Sequence, residues 1–156
     1  MRSVSTRALI RRIKARVESE RLPRGADPHR HVKLGRGGLS DVEWTVQLLQ
    51  LRHAGEVRTL RTPSTLGALH AARDAGLVDA DDADVLELAW RLASRVRNAV
   101  VLFRGRPSDS LPTGVRELDG VARLVGYPPG AAGALDDDYQ RITRRARNVV
   151  DRIFYG

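Results

Sequence analysis

Residues Lys33 to Gln47 hold the densest set of groups that could do chemistry. Gly35, Gly37 and Gly38 place three glycines within four positions, a sign of backbone freedom or of close approach to something. Lys33 and Arg36 add two cations, and an apolar helical pattern opens directly afterwards at Ser40. Freed amides, the positive end of a helix dipole and two cations together suit an anion such as a phosphate. The same residues suit a structural turn feeding a capped helix, with Arg36 paired to Asp41 or Glu43. The spacing is not that of a P-loop, because no Gly-Lys-Ser/Thr follows. Nor is it a dinucleotide fingerprint, because no strand precedes it.

The helix after the turn carries polar residues on an apolar body. Ser40, with Glu43 three positions on, predicts a capping box. Glu43 and Gln47 share a face at i, i+4. A buried carboxylate needs a cationic or hydrogen-bonding partner, and Arg95 and Arg97 on a later helix are the candidates. Ser40, Asp41, Glu43, Gln47 and Arg97 are therefore the expected structural polar network. No metal site is expected. Asp41 and Glu43 diverge on a helix, and His29 and His31 lack a third ligand at suitable spacing. Asp136-Asp137-Asp138 reads as dipole compensation in the first turn of a helix. No nucleophile motif stands out, so no catalytic residue is assigned.

Six helices must position these groups. The periodicities predict helices over about 5–21, 40–54, 64–75, 79–104, 115–125 and 135–155, separated by Gly/Pro breaks. The first carries an Ile10, Ile13, Val17 stripe, the fourth Val85, Leu88, Leu92, Val96, Ala99 and Phe103. The last carries a seam of Leu135, Tyr139, Ile142, Ala146, Val149 and Ile153. With no strand pattern, the fold class is all-α, a helical bundle forming a single domain over residues 1–156. Two Phe, three Tyr and two Trp leave an aliphatic core.

No cysteine is present, which excludes disulfides and Cys-based zinc and fits a cytoplasmic setting. No apolar run is long enough to cross a membrane. The net charge is +8; two of the 27 basic residues are lysine and the other 25 arginine. That surplus is compatible with an acidic partner or phosphorylated ligands. No aromatic stacking platform accompanies it, so nucleic acid is not the expected partner.

The segment from Lys33 to Leu51 resembles the K-x-G-x-GG-[LI]-x-D-[IV]-E-[FW]-x-x-Q signature of glutamine synthetase adenylyltransferases. Leu60-Arg61-Thr62, Arg97-Asn98, Asp109-Ser110-Leu111-Pro112, Leu124-Val125-Gly126-Tyr127 and the stretch from Arg144 to Phe154 agree in order. The related uridylyltransferases of nitrogen signalling carry a looser version. The resemblance implies the C-terminal helical domain behind the adenylylating half of a larger enzyme. Such enzymes transfer AMP from ATP, with Mg²⁺, to a tyrosine of glutamine synthetase, under control of PII-type proteins in many members. The family's G-S-x-x-[DE]-x-D catalytic segment is missing here, so this fragment is expected to be inactive alone and to hold no cofactor. Its implied partners are the nucleotidyltransferase domain of the same chain, glutamine synthetase and a PII-type signalling protein. Lys33, Arg36, Gly37 and Gly38 are then the candidate phosphate-binding or domain-interface residues. The competing reading is a docking module for glutamine synthetase or a PII-type regulator, without chemistry of its own.

Overall fold

The computed structural model describes residues 2–156, with side chains from residue 8 onward. Its helices are α1 (Arg2–Arg21), α2 (Leu39–His53), α3 (Thr65–Asp74), α4 (Ala80–Arg104), α5 (Val115–Val125) and α6 (Ala132–Tyr155). A short 3₁₀ turn, Arg58–Leu60, precedes α3; the sequence periodicity gave no sign of it. Among the described residues no strand occurs, and the chain is all-α as expected. An isolated antiparallel bridge joins His31 to Ser110.

The two long helices, α4 and α6, pack along each other, and α5 lies against both. On the other side α2 seats on α4 and α6, with α3 completing the layer. The apolar seam of α6 is buried as the periodicity required, with Ile153 half-buried and Phe154 fully buried at its end. The expected stripe of α4 is buried at Leu92, Val96 and Ala99 and half-buried at Val85, whereas Leu88 and Phe103 are exposed and Leu86, Ala89, Ala93 and Val100 join the core instead.

Local signals set most boundaries. Ser64 caps α3 by accepting a hydrogen bond from the Gly67 amide at 3.0 Å. Gly105 and Gly126 end α4 and α5 in the left-handed conformation. Two expectations need correction. The cap of α2 is Gly38, with no side-chain bond, so Ser40 and Glu43 form no capping box. Helix α6 starts at Ala132, which moves Asp136–Asp138 out of the first turn. Those carboxylates are paired instead. Asp136 accepts two hydrogen bonds from Arg30 at 2.8 and 2.9 Å, and Asp138 accepts from Tyr127 and Arg141 at 2.7 Å each.

Helix α1 departs furthest from its pattern. Ile13 is 43% exposed, and Ile10 and Val17 are only half-buried. The buried residue on this helix is Lys14, 1% exposed.

Candidate functional site

The site is built around Asp41, on the first turn of α2 and 4% exposed. Its Oδ1 accepts from Lys14 Nζ of α1 at 2.8 Å. Its Oδ2 accepts from the Gly37 amide at 2.7 Å and from Arg147 Nη1 of α6 at 3.1 Å. Glu18 joins through Lys14 and through Arg147 at 3.2 Å. One carboxylate thus ties α1, the glycine turn and α6 to α2. Lys14 Nζ also lies over the Phe154 ring, 5.3 Å from its centroid.

Burial alone would raise the Asp41 carboxyl pKa, but Lys14, the Gly37 amide and Arg147 outweigh it and hold the pKa below its usual range. Burial alone would likewise lower that of Lys14, but Asp41 and Glu18 leave it raised. Arg147 is raised in the same way, its burial offset by Asp41, Glu18 and Asp151. All three groups stay charged at neutral pH, and for Asp41 and Lys14 the opposite charges around them offset the cost of burial.

The glycines are explained by the chain's own packing. Gly37 has φ +71°, and a Cβ there would collide with the Thr143 carbonyl of α6. A Cβ on Gly35 would strike the His31 carbonyl, and one on Gly38 would sit 2.6 Å from the Val32 carbonyl. The amides of residues 35–40 are likewise committed, to His31, Pro28, Asp41, Gly35, Val32 and Lys33 in that order. This turn therefore presents no open amide cradle to an anion. What it does present are side chains: Lys33 and Arg36 are exposed, with no acid partner among the described residues.

The expected polar network is regrouped. Asp41 is at its heart, but Lys14 and Arg147, not Arg97, neutralise it. Arg97 Nε donates to Asp109 at 2.6 Å, and the Asp109 carbonyl accepts from the Val32 amide at 2.7 Å. Arg97 thus steadies the glycine turn through the 108–111 loop without touching Glu43. Arg95 bonds the Val125 carbonyl. Glu43 is half-buried, Gln47 exposed and Ser40 partly exposed, so these three reach the surface rather than a buried network. Arg36 pairs with neither Asp41 nor Glu43.

Sequence reasoning missed Lys14, Glu18 and Arg147. A signal was present: Lys14 is one of two lysines in the chain and interrupts the Ile10, Ile13, Val17 stripe. Arg147 stands beside Ala146, a seam position of α6, close enough to reach inward.

A magnesium site does not fit these residues. Asp136 and Asp138 are taken by arginines and Tyr127, and Asp41 is enclosed by two cations. Among the described residues no group of three or more His, Asp or Glu side chains could hold a metal. No described helix is long and apolar enough to cross a membrane.

The profile of the family described as GlnD PII-uridylyltransferase matches residues 7–154. The chain belongs to that family. It is 63% identical over 147 residues to a bifunctional glutamine synthetase adenylyltransferase/adenylyl-removing enzyme of Streptomyces avermitilis. Proteins of the same name from Mycobacterium avium and Leifsonia xyli are 59% and 58% identical. Each match covers 93 to 94% of this chain but only 14 to 15% of the relative. The chain therefore spans about a seventh of the length of the curated relatives it matches. The resemblance read from the Lys33–Leu51 segment and the agreeing later blocks is thereby borne out.

Proposed function

We propose that this chain is the helical domain that backs the adenylylating half of a glutamine synthetase adenylyltransferase, and that its Lys33/Arg36 edge faces the catalytic domain. The full enzyme would use ATP and Mg²⁺ to transfer AMP to a tyrosine of glutamine synthetase, the magnesium being held elsewhere. The observation that carries this reading is the rigid presentation of unpaired charge. Lys33 and Arg36 project from a turn whose amides at residues 34–40 and whose glycines are held within the molecule. A fixed backbone leaves only the side-chain ordering to be met on docking, and the two cations suit an acidic or phosphate-bearing neighbour.

The test is adenylylation by the full-length enzyme carrying Lys33→Ala and Arg36→Ala. Both side chains are exposed, so thermal stability should hold while the rate of AMP transfer falls by at least about fivefold, roughly 1 kcal/mol of barrier. A rate within about twofold of the parent reduces the edge to surface charge. If the isolated chain binds glutamine synthetase tightly without nucleotide, and the double variant abolishes that binding, a docking role replaces support of transfer.

A further inference from the structure

Beside the Asp41 cluster, a cleft of about 360 Å³ opens between the glycine turn and α6. Arg36 stands on the turn side; Arg144, Arg147 and Asn148 stand on α6, on one face at i, i+3 and i+4. The cleft has one acid in its lining, Asp151, which contacts Arg147 Nε at 2.9 Å and shares that guanidinium with Asp41 and Glu18. Arg36 and Arg144 have no acid partner among the described residues. Two permanently charged forks from different segments thus line one concave space, each adding to the other's repulsion.

We propose that this cleft binds a phosphate group, held between Arg36 and Arg144 with the Asn148 amide as a further donor. A phosphate brings nearly two negative charges and three strong acceptor oxygens, which matches two guanidiniums and an amide. A monocarboxylate brings half the charge and two acceptors. The cleft lies at the small end of the range for ligand pockets and is lined mainly by donors, which suits a small polyanion better than an apolar ligand. Thr143 and Gln140 line it too, but both donate to backbone carbonyls, of Tyr139 and His29. They shape the cleft and leave the arginines to bind. This site goes beyond the docking edge proposed above, and it needs no catalytic domain to be tested.

The experiment titrates the 156-residue chain with inorganic phosphate, pyrophosphate and ATP at constant ionic strength, by calorimetry and by the arginine Nε–H resonances. Saturable one-to-one binding is expected, with the Arg36 and Arg144 signals moving. Arg36→Gln and Arg144→Gln should each weaken it about tenfold, the loss of one charge-assisted donor. Arg58→Gln and Arg106→Gln, exposed arginines outside the cleft, should change it by less than about twofold. ATP binding no tighter than pyrophosphate assigns free phosphates as the ligand; ATP binding about tenfold tighter assigns a nucleotide. Non-saturating binding, equal losses in the Arg58 and Arg106 variants, or equal affinity for malonate would overturn the proposal. Adenylylation by the full-length enzyme is not read in this experiment, so failure here leaves the docking edge standing.

Discussion

Helix α6 is gripped in two ways along its length. Its seam from Leu135 to Val149 is held by apolar packing against α4 and α5, where every contact is replaceable and the loss on truncation scales with the area removed. Its neighbour on the seam, Arg147, is held by charge, through Asp41, to Lys14 and the Gly37 amide. The apolar region tolerates change gradually. The charged one responds more abruptly, because removing one partner leaves another buried with fewer charges to offset it. The contrast shows what the charges achieve: they join three segments, α1, the glycine turn and α6, to one carboxylate of α2. The turn bearing Lys33 and Arg36 is one of the three.

The sharpest way to break this comparison is Asp41→Ala. It removes the more buried of the two acids that pair with Lys14, leaving Glu18 as the remaining one, and should cost about 3 kcal/mol in urea unfolding. Leu86→Ala, at a fully buried apolar position of α4, should cost about 2–5 kcal/mol. The two differ in their pH dependence. The folded pKa of Asp41 lies below its ordinary value of 3.8. Its stabilisation is therefore complete above that value and is lost as pH falls through the lower, folded one. Lys14, raised above 10.5, contributes below that value and stops as pH rises through its own folded pKa. The gap between parent and Asp41→Ala should shrink below pH 3.8, whereas the Leu86→Ala gap should not change with this titration. Parallel losses in acid would show that Asp41 is not the group that titrates.

Gly37→Ala is the next largest. The residue has φ +71° and its added methyl would meet the Thr143 carbonyl, so the turn must move off α6. The left-handed conformation alone costs about 1–2 kcal/mol for a side-chain-bearing residue, and displacement from Asp41 adds to it. Gly55→Ala serves as the comparison, since a methyl there meets nothing within 4 Å. Near-equal melting temperatures for the two variants would mean that the turn is not clamped against α6.

These differences also explain what could be read from the sequence. The α6 seam and the number of helices were legible, because amphipathic spacing is a local property that tertiary packing then confirms. The α4 face was read in part: Leu92, Val96 and Ala99 lie in the core, but Leu88 and Phe103, which outrank alanine in hydrophobicity, are exposed while Ala89 and Ala93 are buried. The glycines announced a tight approach but could not say to what; the answer, Thr143, lies more than a hundred residues away. Asp41 was recognisable as a carboxylate needing a cation. Its true partners were hidden because Lys14 looks, by pattern, like a break in an apolar stripe, and Arg147 like one of many surface arginines. Pairings between distant segments are set by the packed fold and leave no periodic trace.

The smallest effect tests the other side of the comparison. Arg16 Nε and Glu20 Oε1 on α1 lie 2.8 Å apart, at the same separation as Lys14 and Asp41, but both side chains are more than half exposed. Water screens that pair, and holding two long side chains together costs entropy that offsets the attraction. Glu20→Gln should therefore change unfolding free energy by less than about 0.5 kcal/mol, and that small change should disappear near 1 M salt. Equal distances would then give unequal energies, with burial as the deciding variable. A loss in Glu20→Gln comparable to that in Asp41→Ala would instead mean that α1 is held by its charges wherever they lie, and that the Asp41 cluster has no special standing.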